Sequence, residues 1–166
     1  MREQYWAMYS DLKHRFFYYG RFLKLFNKVN WAISGFLTLT SVSCIAFWSI
    51  WGEYPLLWSS LICISQIIQA LWPKLPYNDL IVTTKLMICS MDALLLSVEK
   101  DWLETQYVKE ETSAQEYLDL IIKYQTSYYE LISQYYSGTF LPDLKRLHKK
   151  AEKDCRNYFN RKYPTN

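Results

Sequence analysis

Between Lys28 and Lys74 the chain carries a single charged side chain, Glu53. Residues 29–52 and 54–73 are uncharged. A helix crossing a hydrocarbon core about 30 Å thick needs roughly 20 apolar residues, and each of the two stretches is about that long. Gly52-Glu53-Tyr54-Pro55 lies between them, with Gly and Pro as helix breakers. The pattern predicts a helical hairpin over 29–73 that crosses a membrane twice. Trp31 opens the first span, Trp72 and Tyr77 close the second, and Trp48, Trp51, Tyr54 and Trp58 cluster at the turn. Trp and Tyr favour the two membrane interfaces, where the ring is apolar and its polar tip stays wet. The competing reading is a buried hairpin in a soluble protein. It is the weaker one, because so small a domain does not easily hide two helices that are apolar on every side.

Charge sets the expected orientation. A hairpin puts both termini on one side of the bilayer. Residues 1–28 carry six basic and two acidic side chains, and the turn carries no Lys or Arg. Positive residues remain on the cytoplasmic side, which places both termini in the cytoplasm and the turn outside. The first apolar run begins too late for a cleavable signal peptide and reads as an uncleaved anchor.

The organisation that follows is an all-α membrane protein. Residues 1–28 form an amphipathic cytoplasmic helix, 29–73 the transmembrane hairpin, and 74–166 a cytoplasmic helical domain. Gly and Pro are scarce, at four and five of 166 residues, which fits helices throughout. Residues 74–141 hold five basic and ten acidic side chains, and residues 142–166 hold eight and three. Basic ends around an acidic middle point to pairing within or between subunits, or to a phosphate-bearing partner.

In residues 3–28, Tyr5, Trp6, Tyr9, Leu12, Phe16, Tyr19, Leu23 and Phe26 form one apolar face, and Arg21, Lys24 and Lys28 lie on another line. A packed helix explains this better than a headgroup-binding one. Leu80, Thr84, Met87, Met91, Leu94 and Val98 step by four and three, a heptad seam that predicts a helix over 80–110, capped by Asn78 or Asp79. Ser113 and Glu116 have capping-box spacing. The helix after them, to about Tyr136, repeats the seam through Leu118, Ile121, Gln125, Tyr128, Ile132 and Tyr135, with Tyr117, Tyr124, Tyr129 and Tyr136 on its flanks. A basic helix closes the chain from about Pro142 to Asn160.

Candidate functional residues follow from these faces. Ser34, Thr38 and Ser41 form a hydroxyl line in the first span, and Gln66 and Gln69 are amides in the second. Small and polar residues inside a membrane either pack helices together or line a water-filled path. Two helices cannot enclose a pore, so the second reading requires several copies. Lys145, Arg146, Lys149, Lys150 and Lys153 can meet phosphates, and a tyrosine such as Tyr128 can stack on a base. The bland readings are a solvated charged face and an aromatic core.

Other chemistry has no positive sign. The four cysteines, Cys44, Cys63, Cys89 and Cys155, lack CxxC spacing and read as packing residues, with Cys155 expected near the surface. His14 and His148 are the only histidines, and neither has a nucleophile motif beside it. No phosphate-cradling glycine loop or HExxH is present. The chain is expected not to be an enzyme and to need no cofactor. Asp92, within MICSMDALLL, is the one odd carboxylate, read as a buried partner or a register device.

An aromatic and basic first helix (YWAMYSDLKHRFFYYGRFLKLF), two close spans (WAISGFLTLTSVSCIAFWSIW and YPLLWSSLICISQIIQALWP) and further cytoplasmic helices follow one another. In architecture and residue character, nearly the whole chain resembles the SLATT-type two-transmembrane effectors of bacterial anti-phage defence. That resemblance implies a homo-oligomeric, pore-forming effector, a tetramer or larger. It would cause depolarisation or growth arrest under control of a nucleotide or short oligonucleotide made by a nucleotidyltransferase-type partner. The alternative from another class is a membrane-anchored scaffold whose helices dock a partner protein.

Overall fold

A computed structural model describes residues 1–46, 55–74, 77–107, 112–136 and 142–163. Five helices follow in order: α1 (Arg2–Ala46), α2 (Pro55–Leu71), α3 (Tyr77–Tyr107), α4 (Ala114–Tyr136) and α5 (Lys145–Lys162). A short 3-10 turn, Trp72–Lys74, follows α2. Among the described residues there is no strand. The helices divide between two compact units: residues 1–23 with 82–166, and residues 24–81. The first 23 residues therefore belong with the C-terminal helices.

In the larger unit the heptad reading of α3 holds at Thr84, Met87, Met91 and Val98, with Leu95 buried in place of Leu94. Thr84, Met87, Met91, Leu95 and Val98 are fully or nearly fully buried, with Trp102 beside them. Leu80 and Leu94 from the expected seam are half-buried. α3 begins at Tyr77, so Asp79 sits inside its first turn rather than at a cap. There its charge still complements the positive end of the helix dipole. The capping box at α4 is formed: Glu116 N–H donates to Ser113 Oγ, and Ser113 N–H donates to Glu116 Oε2, both at 3.1 Å.

α1 runs unbroken from Arg2 to Ala46. Its buried face is Tyr5, Met8, Tyr9, Leu12, Tyr18, Tyr19 and Phe22, whereas Phe16 and Leu23 are half-exposed. Lys13 is buried on this helix too, at 8% exposure. Its ammonium lies 4.2 Å from the Tyr158 ring centre and 5.2 Å from that of Phe16, a cation–π site that spares the charge from apolar surroundings.

The phase of α4 differs from the expected seam. Tyr117, Tyr124, Tyr128 and Tyr136 are the buried residues, while Leu118 and Gln125 face outward. The reason is hydroxyl chemistry. Each buried phenol needs a polar partner, and the neighbouring helices supply one: Tyr124 donates to Asp101 at 2.6 Å, and Tyr136 to Thr84 at 3.0 Å. Gln125 faces outward, where water satisfies its amide.

α5 begins at Lys145, later than expected, because Pro142–Leu144 are not helical and Leu144 is extended. Leu144 at its N-cap has no side-chain cap. The distant Tyr18 hydroxyl takes that role: it donates to Pro142 O at 2.6 Å and accepts from Leu144 N–H at 3.2 Å. Arg21 of α1 then grips Asp154 of α5 through two hydrogen bonds of 2.6 and 2.7 Å. Glu99 of α3 pairs with Lys162 and accepts from Tyr158 at 3.3 Å. Two expectations are corrected here. Asp92 is exposed and not buried. Cys155 is buried at 5% exposure, with its thiol toward Ser10 O, because it faces α1.

In the smaller unit, 29–46 is helical as part of α1 and 55–71 is helical as α2. The expected turn over 52–55 falls outside the described residues apart from Pro55. Large apolar side chains are exposed here: Trp31 at 82%, Leu39 at 68%, Leu56 at 83% and Ile67 at 58%. One described helix, Asp79–Tyr107 within α3, is long and apolar enough by length and composition to cross a membrane, and α2 is a shorter apolar helix. Only a third of the apolar window of α3 is buried, but its buried line lies in the aromatic core of the larger unit. A core helix passes the same test of length and composition.

The packing predicts a sharp contrast between faces. Leu95→Ala should cost about 2–5 kcal/mol of stability, and Ile122→Ala on the outer face of α4 about 0.5 kcal/mol or less. Ser113→Ala should cost about 1 kcal/mol through the lost cap. Thermal unfolding in detergent, followed by near-ultraviolet circular dichroism, checks all three.

Candidate functional site

A cleft of about 490 Å³ opens on the larger unit. α1 supplies Asp11, His14, Arg15, Tyr18 and Tyr19, and α4 supplies Tyr128, Tyr129, Ile132 and Tyr136. Asp143 and His148 complete it from the start of α5. The spacing on α1 explains the convergence: positions 11, 15, 18 and 19 share one helix face. Tyr18, by tying down Pro142 and Leu144, brings His148 to the rim.

Tyr128 is the hub. Its hydroxyl accepts from Arg15 at 3.2 Å and shares a hydrogen bond with Tyr19 at 3.0 Å. The Arg15 guanidinium also lies 5.2 Å from the Tyr128 ring centre and donates to Asp11 at 2.8 Å. Burial and the bond to Tyr128 push the Tyr19 phenol well above its ordinary range, so it stays neutral. Burial alone would weaken the Arg15 cation, but the bonds to Tyr128 and Asp11 outweigh it and hold the guanidinium charged.

The rim is aromatic. His148 stacks on Tyr18 with ring centres 4.2 Å apart and an interplanar angle of 21°. It also stacks on His14 at 5.4 Å and 26°. Its Nε2 lies 2.9 Å from Asp143 Oδ1. Tyr129 presents the most open ring, at 68% exposure. The arrangement suits a flat ring bearing an anion: planar side chains offer faces, and Arg15 offers a forked donor. Arg15 and Asp11 are both about half exposed, and an exposed pair is worth about 0–1 kcal/mol. An incoming anion can therefore displace Asp11 at little cost.

The structure brings together only some of the residues singled out from sequence. Tyr128 lines the cleft, but its ring is buried beneath Arg15, so Tyr129 is the better stacking face. Lys145, Arg146, Lys149, Lys150 and Lys153 lie exposed on α5, and none lines the cleft. Arg15 and the two histidines were not legible as a group, because α1 and α5 meet only through tertiary packing. In the smaller unit Ser34, Thr38, Ser41, Gln66 and Gln69 are all exposed. Thr38 donates to Ser34 O and Ser41 to Thr38 O, each at 2.9 Å, so those two hydroxyls are satisfied within their own helix. Among the described residues, no three His, Cys, Asp or Glu side chains gather to hold a metal.

Tyr128→Phe should cost about 1–3 kcal/mol, because it removes a hydroxyl shared by Arg15 and Tyr19, whereas Tyr129→Ala should change stability by about 0.5 kcal/mol or less. Chemical denaturation of the two variants checks the difference. Compared with protein-family models, curated proteins and solved structures, the chain matches none.

Proposed function

We propose that this chain is a homo-oligomeric membrane effector of the SLATT-like kind, whose helical unit senses a nucleotide or short oligonucleotide. The observation that carries the ligand half is the cleft in which a charged Arg15 meets Tyr129 and the stacked His14, His148 and Tyr18. Phosphate goes to the guanidinium and the base to a ring face. The exposed cations of α5 supply further positive charge outside the cleft for a ligand longer than one nucleotide.

The membrane half rests on residues 29–73. Uncharged helix on both sides of Gly52–Pro55 and exposed Trp31, Leu39, Leu56 and Ile67 would be costly in water and are stable in lipid. In this reading the hairpin crosses the bacterial inner membrane twice with both termini cytoplasmic. Several copies enclose a path beside Gln66 and Gln69, and ligand binding shifts the balance between closed and conducting states. A nucleotidyltransferase-type partner supplies the ligand, and depolarisation or growth arrest is the outcome in defence against phage.

The back-bonded hydroxyls of Thr38 and Ser41 favour a second reading, a membrane-anchored scaffold, because side chains satisfied within their own helix have less to offer ions. Membrane potential in bacteria, read with a voltage-sensitive dye, separates the two. A channel should depolarise the cells, and Gln66→Leu should reduce the response; a tether should give no depolarisation and tolerate the change. For the ligand, titration of the full chain in detergent with mono- and dinucleotides should give saturable binding. Arg15→Ala should weaken it at least about tenfold, as expected for loss of one charged forked contact. Binding unchanged by Arg15→Ala would move the site away from this cleft.

A further inference from the structure

α3 carries a second apolar line on the side opposite its core. Val82, Leu86, Cys89, Ala93 and Leu96 step by four, three, four and three, and Lys100 and Leu103 continue the register. All seven are exposed; Val82, Leu86 and Leu96 are 55%, 53% and 64% exposed. At 3.6 residues per turn this line lies on the far side of the helix from Thr84, Met87, Met91, Leu95 and Val98. An exposed seam at a 3.5-residue spacing keeps its face toward one partner helix along its length. A face lying on lipid has a similar spacing, so the charges beside the seam decide between the two.

The flanking charges say which helix fits. Lys85 and Asp92 border the seam on the same side, one heptad apart, and both are exposed. Thr83 and Ser90 border the other side and are uncharged. We propose that the partner is a second copy of this chain, with the two α3 helices packed antiparallel about a twofold axis. With Leu86 opposite the partner's Cys89, Val82 falls opposite the partner's Ala93, large against small. The same register sets Lys85 opposite the partner's Asp92, and symmetry repeats that pair. The same register sets Leu96 opposite the partner's Asp79, in the first turn of the partner's α3, with Lys100 one turn further along. A parallel pair would instead bury Lys100 against Lys100 and leave Lys85 and Asp92 without opposite charges. The contact rests on the reading above only for the expectation that the chain associates.

The test uses the full chain in detergent, with mass measured by light scattering across a concentration series. Lys85→Asp and Asp92→Lys should each weaken association at least about tenfold, since each places like charges opposite one another twice. The double variant should restore it to within about threefold of wild type. In a Cys44→Ser, Cys63→Ser background, Leu86→Cys should form a covalent dimer with the native Cys89 on mild oxidation, and adding Cys89→Ser should abolish it. The substitutions at Lys85, Leu86, Cys89 and Asp92 lie on an exposed face of α3 and leave its core intact. A monomer at every concentration would overturn both this contact and the oligomer. An oligomer indifferent to the charge swaps, or one that cross-links through Cys89 alone, would overturn this contact and leave the oligomer standing.

Discussion

Burying a tyrosine takes a hydroxyl out of water, and that hydroxyl must find a partner. This requirement sets the geometry of the larger unit. Tyr5 donates to Val98 O at 2.8 Å and so ties α1 to α3. Tyr124 and Tyr136 tie α4 to α3 through Asp101 and Thr84. Tyr128 joins α4 to α1 through Arg15 and Tyr19, and Tyr18 holds the start of α5. Aliphatic side chains would fill the same space but would leave the helices free to slide. Directional bonds at the ring tips fix both rotation and height.

The same bonds create the cleft. Tyr128 holds the Arg15 guanidinium in place at the edge of the core, where the cation is neither fully solvated nor fully paired. Tyr18 anchors the chain before α5 and thereby sets His148 beside His14. A cleft lined by planar side chains thus arises as a by-product of core satisfaction. Prearranged groups lose little freedom on binding, which strengthens weak contacts.

Much of this was legible in the chain itself. The Ser113–Glu116 spacing identified a helix start because a capping box is closed by residues three apart. Most of the α3 seam followed from periodicity. The phase of α4 did not, because periodicity weighs Leu118 and Tyr117 alike, while burial depends on which residue finds a hydroxyl partner. Cys155 was misread for a related reason: its neighbour, Ser10, comes from α1. Asp92 looked odd in an apolar run, but the run is apolar on two faces and Asp92 borders the outer one.

Local pattern thus determined which segments are helical, where most of them begin and which stretch is uncharged enough for a bilayer. These properties depend on residues within one or two turns of each other. Tertiary structure alone decided which side of each helix is covered and which cation stands beside which ring. It also decided that the basic residues of α5 stay outside the cleft while Arg15 enters it. Those outcomes depend on pairs more than a hundred residues apart, such as Arg15 with Tyr128 and Tyr18 with Leu144, and no spacing along the chain encodes them.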